Sequence, residues 1–241
     1  MRFFARVLLI VLGSALTIAP PVFAEDQLSQ IAGRIQVLNT AVRDGLIAKD
    51  VARRELALQL AQLDGALSGH FPKPSNWVFP LKGYDPSRIG RSSYHAKGYD
   101  FFQGNRHGGH PSEDLFIRER KRDALDPKTG QPVTVLSLTD GIVVASADSW
   151  KPGSRLRGGN YLWVYDPHRR GLVYYAHNDR LLVSVGDVVH AGTAIATVGR
   201  TGWNAYKKRS PSHLHLTYLL VHDGYPKPVN IYTVLKQSRP M

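Results

Sequence analysis

Apolar residues in the first third of the chain recur at spacings of three and four, the pattern of amphipathic helices. The first series is interrupted at Asp44-Gly45, and we expect Asp50 to cap the helix that carries the second series. Residues 25–70 are therefore predicted to form an α-helical hairpin whose apolar faces pack on the rest of the protein or form an arm that binds a regulatory partner. The two series are Leu28, Ile31, Ile35, Leu38 and Val42, and Leu56, Leu60, Leu63 and Leu67.

Residues 71–95 are rich in proline and glycine, which indicates a linker or an irregular wrapping segment. Beyond them the apolar pattern changes to short runs with a period of two, which is typical of strands joined by tight turns. The predicted strands cover residues 133–138, 142–144, 161–165, 172–175, 193–198 and 213–221. We therefore expect a mainly β protein, with a small antiparallel β barrel or sandwich in residues 96–236 that follows the helical hairpin.

The first 24 residues have the features of a signal peptide. Arg2 and Arg6 precede an apolar run that is too short to anchor stably in a bilayer, and Ala24 ends a motif of small residues suited to a signal peptidase. An uncleaved N-terminal anchor is the alternative. We expect export to the periplasm or the medium, cleavage near Ala24, and no transmembrane segment in the mature chain.

The composition excludes cysteine chemistry and indicates the charge of the partner. The chain has 241 residues, a formal net charge of +12 and no cysteine, so disulfides, thiolate metal sites and a cysteine nucleophile are excluded. The positive charge suits an acidic polymer, whose local concentration it would raise. Nucleic acid would be such a polymer too, but expected export and the lack of a nucleic-acid-binding motif make it a poor candidate.

Three of the histidine-containing motifs have spacings that suit a metal site. His110 and Asp114 form an H-x-x-x-D motif after two glycines, and His213 and His215 are two apart, so that on a strand both imidazoles point to one face. His177 ends another predicted strand in the sequence Tyr-Ala-His-Asn. Because no H-E-x-x-H motif is present, a metallopeptidase of the zincin type is excluded, and histidine is the simplest general base.

The order H-x-x-x-D, Y-A-H, G-x-T-G and H-L-H resembles the lysostaphin/LytM family of zinc metallopeptidases over residues 100–232. The resemblance implies a small antiparallel β domain with a groove that holds one Zn²⁺ and hydrolyses peptide bonds in the stems or bridges of bacterial peptidoglycan. Because no module that targets pentaglycine bridges is visible, we expect stem-peptide cross-links to be the substrate. It implies that His110, Asp114 and His215 are zinc ligands and that His177 and His213 are catalytic. Three protein ligands would leave room for a zinc-activated water.

Two other functions stay open at this stage. The chain could be an exported module that activates other cell-wall hydrolases through its helical hairpin, or a different metal-dependent hydrolase or carbohydrate-binding β domain.

Two basic segments, residues 115–128 and 204–211, look like insertions that either are solvated loops or shape substrate choice. The hairpin or the proline-rich segment could also cover the groove, with Asn76 or Asp85 offering an oxygen to the metal.

Overall fold

Two antiparallel helices open the part of the chain that the structure, a computed structural model, describes: residues 22–241, with side chains from residue 26 onwards. Helix α1 spans Val22–Asp44 and α2 spans Lys49–Ala66. The predicted signal peptide lies outside the described residues, except for its last three, which begin α1. Gly45 ends α1 with a φ of +71°, a left-handed conformation that glycine adopts without strain. The predicted cap Asp50 is wrong: Ala48 is the N-cap, and Asp50 lies in the first turn, paired with Arg54.

Nine β-strands and a short C-terminal helix follow within the described residues. Each predicted strand is present, with ends that differ by up to six residues. The strands are β1 Ser112–Phe116, β2 Thr134–Leu136, β3 Gly141–Ala147, β4 Asn160–Asp166, β5 Gly171–Leu181, β6 Val188–Val189, β7 Ala194–Val198, β8 His213–His222 and β9 Tyr225–Pro228, and the helix is α3 Tyr232–Gln237.

The strands form one antiparallel sheet in the order β1-β8-β5-β4-β3-β6, with β9 beside the far end of β8 and β7 joining β2 to β5. The predicted mainly β, antiparallel architecture behind a helical hairpin is therefore confirmed. The sequence did not indicate β1, β6, β9 or α3. In particular, the H-x-x-x-D motif does not lie on one element, because Asp114 is on β1 and His110 precedes the strand.

The apolar faces of α1 and α2 lie against one side of this sheet. Their buried leucines and isoleucines form one hydrophobic cluster with β3, β4 and β5 side chains that include Val144, Trp163 and Leu172. The predicted stripe is thus used within the chain, which leaves little of it for a partner. No helix in residues 22–241 has both the length and the apolar composition that crossing a bilayer requires.

The other side of the sheet is covered by the proline-rich segment and by α3. Phe79 and Leu81 are buried in a second cluster with Leu235 of α3. Backbone bridges join Val78 to Arg239 and Leu81 to Val135. Residues 71–95 therefore pack along the β domain over much of their length.

Candidate metal centre and groove

A cluster of two histidines and one aspartate forms where β1 meets β8. Asp114 and His215 are directly opposed in the antiparallel register, which brings side chains on the same face close together. His110, four residues before Asp114, places its Nε2 3.2 Å from Asp114 Oδ1, and His215 Nδ1 is 3.0 Å from the same oxygen. His110, Asp114 and His215 can each direct one ligand atom within 4.8 Å of the others. The sequence-predicted ligand set is thus brought together in space.

Neighbouring groups orient the two histidines of this cluster. His110 Nδ1 donates to the Ser93 carbonyl oxygen at 3.0 Å, so the Nε2 of the neutral ring carries the lone pair. His215 is turned the other way: its Nε2 lies 2.6 Å from Ser112 Oγ, which in turn contacts the Thr217 hydroxyl. Such outer contacts fix the orientation of metal-binding histidines. Two nitrogens and one carboxylate oxygen suit a zinc ion of the catalytic type, so the donor set fits the metal that the sequence predicts.

His177 and His213 lie beside the cluster and are buried. Their ring centroids are 4.9 Å apart, and the His177 ring is 5.3 Å from that of His215. His177 Nδ1 donates to the Thr201 carbonyl oxygen at 2.8 Å, and His213 Nδ1 donates to the Pro211 carbonyl oxygen at 2.8 Å. Because a carbonyl oxygen can only accept, Nε2 of each neutral ring is left free to accept a proton.

The backbone at His177 adopts a left-handed conformation, with a φ of +65°. It lies where the register between β4 and β5 shifts, so a bulge re-aims its side chain. Non-glycine residues seldom adopt this conformation, and strained backbone of this kind clusters at active sites. Gly202, the last residue of the G-x-T-G motif, packs on the ring, since a Cβ there would lie 2.7 Å from His177 Nδ1. The motif therefore supplies both a carbonyl acceptor and a flat surface for His177.

Burial and mutual contact shift the pKa values of the cluster in both directions. Burial alone would lower the pKa of His110, but the hydrogen bond and the charge of Asp114 raise it. Burial lowers the pKa of His177 well below its usual value and also lowers that of His215. Burial alone would raise the pKa of the Asp114 carboxyl, but hydrogen bonds with His110 and His215 hold it far below its usual range. Metal binding requires neutral imidazoles beside an ionised carboxylate, so a cation would have to displace the proton that Asp114 favours on His110.

The cluster opens into a groove of about 350 Å³ whose opposite wall comes from the helical hairpin. Asn39, Val42 and Arg43 of α1 line it together with aromatic residues, and the Tyr161 hydroxyl donates to Asn39 Oδ1 and accepts from Arg43. The aromatic residues are Tyr99, Phe101, Tyr161, Trp163, Tyr174 and Trp203. The sequence did not predict this use of α1.

The two residues suggested as internal metal ligands do not lie in the groove. Asp85 instead caps the turn Pro86–Arg88, where it accepts from the backbone and hydroxyl of Ser87. Asn76 is exposed and is absent from the groove lining. Neither offers an oxygen to the cluster, so that form of self-inhibition is wrong in this structure.

The two insertion-like segments are joined to each other beside β8. Glu119 accepts from the Ser212 backbone N–H at 2.7 Å, and its carboxylate lies 3.9 Å from the Arg200 guanidinium. Arg200 also donates to the Lys207 and Ser210 carbonyl oxygens. The segments thus hold the chain that leads into His213. Within them, Arg209 is exposed and Lys207 is partly exposed.

The sequence analysis did not predict the groups that support the candidate ligands, namely Ser93, Ser112 and Thr217. A period-two signal was available for two of them, since Ser112 is two residues before Asp114 and Thr217 is two residues after His215. The period of two along a strand therefore indicates that these two hydroxyls lie on the same face as the candidate ligands.

Replacing Ser112 by alanine is expected to weaken zinc binding by about 10- to 100-fold, because the His215 ring loses the group that orients it. Competition with a chromophoric chelator at neutral pH measures this affinity. Ser137→Ala removes another fully buried hydroxyl, one that donates to the Thr139 carbonyl oxygen and not to a residue of the cluster, so it is the matched control and should leave zinc affinity unchanged. Equal affinities of wild type and the Ser112 variant would show that this hydroxyl has no supporting role.

A mainly antiparallel β domain with a His-Asp-His cluster and two further histidines defines a class of candidate metallohydrolases. Comparison with protein families is more specific: residues 121–228 match the model of peptidase family M23. This match confirms the resemblance that the motifs predict.

Several solved structures are similar to this chain. One from Ruminococcus gnavus bears the name of a glycyl-glycine endopeptidase, LytM; it is 20% identical, with a TM-score of 0.46, and 91% of this chain and 89% of that one are covered. A zinc-containing peptidase from Vibrio cholerae is 21% identical, with a TM-score of 0.43 and coverage of 69% and 41%. The antimicrobial peptidase lysostaphin from Staphylococcus simulans is 18% identical, with a TM-score of 0.41 and coverage of 67% and 55%. The chain thus spans about half the length of the last two proteins.

Proposed function

We propose that this protein is an exported, zinc-dependent endopeptidase that hydrolyses peptide bonds in bacterial peptidoglycan. The observation that carries the proposal is the convergence of His110, Asp114 and His215 within 4.8 Å at the floor of an open groove, beside two more histidines with free Nε2 atoms. The M23 match supports peptidase chemistry. The basic charge and the signal-like N-terminus support an acidic polymer outside the cytoplasm as substrate.

In this proposal one zinc ion is held by His110 Nε2, one Asp114 oxygen and His215 Nδ1. When bound there, zinc would act as a Lewis acid and lower the pKa of a water molecule at the site. Ser93 and Ser112 would keep both histidine rings in the orientation that presents a lone pair to the ion. The metal centre thus depends on β1 and β8 remaining paired.

We assign proton transfer to His177 and hydrogen bonding of the reacting carbonyl to His213. Burial keeps the His177 ring neutral, so its Nε2 can take a proton from the attacking water as the new C–O bond forms. His177 would then return that proton to the amine nitrogen as the C–N bond breaks. His213 would hydrogen-bond the oxyanion that develops on the carbonyl oxygen.

We further propose that the scissile bonds are those of stem-peptide cross-links and that residues 1–24 are removed on export. The corresponding arrangement is a hairpin at 25–70, a wrapping segment at 71–95 and a peptidase domain at 96–236. The extent of this last domain is supported by strand pairing. Strand β1, which carries Asp114, is adjacent to β8, which carries His215. Both lie within that domain.

The test is mass analysis of the soluble fragments that the chain from residue 25 onwards releases from purified sacculi. New amino ends in cross-linked stem peptides, abolished by a zinc chelator and restored by zinc, are the expected result. New glycine ends from peptide bridges would keep the endopeptidase but overturn the stem-peptide assignment. No release by protein that binds zinc stoichiometrically would contradict the proposal, and no release together with no zinc binding would favour the activator module.

A further inference from the structure

A second cavity of about 540 Å³ adjoins the catalytic groove. We call it the arginine cleft and define it by Arg43, Arg106, Arg155 and Arg157 with the aromatic residues Trp203 and Tyr206. Arg43, Arg157 and Trp203 also line the catalytic groove, so the two spaces are adjacent. A chain bound across the metal cluster can therefore extend directly into the arginine cleft.

The four guanidinium groups of the arginine cleft face one carboxylate, that of Asp44. Arg43 Nη2 lies 2.7 Å from Asp44 Oδ2, and Arg43 also donates to the Tyr161 hydroxyl. Arg157 is held by the Asn105 and His107 carbonyl oxygens, which orient it without neutralising its charge. Among the residues whose side chains the structure describes, no carboxylate lies within 4.0 Å of the guanidinium of Arg106, Arg155 or Arg157. The cleft therefore has positive charge that the chain does not balance.

Aromatic rings form the other part of the arginine cleft. The Trp203 side chain is 59% exposed and that of Tyr206 is 42% exposed, although aromatic side chains of this size are mostly buried in folded proteins. Tyr206 packs on Trp150, with ring centroids 5.4 Å apart, and Lys207 Nζ lies 5.8 Å from the Trp203 ring centroid. Exposed aromatic surface beside unpaired arginines is typical of a binding site rather than of a solvated face.

We infer that the arginine cleft binds free carboxylates of the substrate strand beyond the bond that is cut. Guanidinium groups bind carboxylates through paired hydrogen bonds. Stem peptides offer such carboxylates as pendant groups and at their chain ends. The aromatic rings would pack on the apolar parts of the same strand. This inference rests on the proposed function and adds to it a recognition site to which α1, the turn Phe101–Arg106 and the 204–211 segment all contribute.

The arrangement also gives the N-terminal hairpin a role in substrate binding. Arg43 closes the side of both cavities, and Gly45, at the end of α1, lies so close to Arg106 that a Cβ there would approach its Nη2 to 3.3 Å. The position of α1 thus determines where two of the four arginines lie. Substrate choice in this chain depends on the hairpin as well as on the β domain.

The experiment measures binding by calorimetry, using zinc-loaded protein with His177 replaced by asparagine so that the ligand is not consumed. The probes are a cross-linked stem-peptide dimer with free carboxylates and the same dimer with those carboxylates amidated. The free acid is expected to bind about tenfold more tightly, the effect of losing hydrogen bonds to a charged group near the surface. In the background of Arg106→Gln plus Arg155→Gln the free acid should bind about tenfold more weakly and the preference should disappear.

Arg54→Gln plus Arg180→Gln is the matched control, because it removes the same charge from two exposed arginines that line neither cavity. An equal loss in this control would assign the effect to net charge and overturn the inference, as would a preference that survives in the cleft variant. Binding is independent of turnover. Cleavage of sacculi without carboxylate preference would therefore reject the cleft alone, and carboxylate preference without cleavage would reject the proposed function alone.

Discussion

Replacing His177 by asparagine is expected to lower the rate of peptide-bond hydrolysis by about 10²- to 10⁴-fold while zinc remains bound. The ring that would take the proton is lost, but the three ligand residues are unchanged. Asparagine is chosen because it tolerates the left-handed backbone at this position better than alanine does. The loss should appear in the rate on sacculi, and metal analysis of the same sample should give the wild-type zinc content.

The control for the His177 variant is His222→Asn, which changes an exposed histidine at the far end of β8. It should hydrolyse sacculi at the wild-type rate. Retained activity in the His177 variant would remove this residue from the mechanism. Loss of zinc together with activity would instead show that His177 supports the metal centre, and the assignment of proton transfer would then fail.

Replacing Leu60 by alanine is expected to lower the free energy of unfolding by about 2–5 kcal/mol. Leu60 is fully buried in the cluster that joins α2 to the sheet, and truncation would leave a cavity where the hairpin meets the β domain. Urea unfolding followed by circular dichroism, with excess zinc in all samples, measures the change. Because the hairpin also forms one wall of the groove, KM should rise at temperatures where the variant is still folded.

Leu58→Ala is the matched control for Leu60, because it is the same substitution on the same helix at a side chain that is 55% exposed. Leucine and alanine have similar helix propensities, so this variant should change stability by about 0.5 kcal/mol or less. Equal effects of the two substitutions would mean that α2 does not pack on the sheet as described.

The sequence predicts the helices and the longer strands because their apolar periodicity is continuous. Strand β1 was hidden because Glu113 and Asp114 put acidic side chains on both of its faces. Glu113 is buried, and hydrogen bonds from Ser92 and Ser93 compensate it. Short elements such as β6, with two residues, carry too few positions for any period to be recognised.

For the candidate site, too, motifs along the chain are predictable from the sequence, whereas contacts between distant segments are not. The sequence predicts that His110, Asp114, His177, His213 and His215 form one centre because the order of their motifs resembles the lysostaphin/LytM family, although each spacing by itself is weak evidence. The wall formed by Asn39 and Arg43 could not be inferred, since it depends on contacts with Tyr161 about 120 positions away in the chain. Patterns within one element do not report which distant surface that element will cover.

The limits of the family match have a practical consequence for anyone who trims this protein to a minimal catalytic unit. The match begins at residue 121, after the end of β1 at Phe116. A fragment cut at that point would lose His110 and Asp114, two of the three candidate ligands. It would also leave residues 213–217 of β8 with unpaired hydrogen-bonding groups along one edge, which favours aggregation. The smallest useful enzyme is therefore set by strand pairing and must start well upstream of the recognisable family signature.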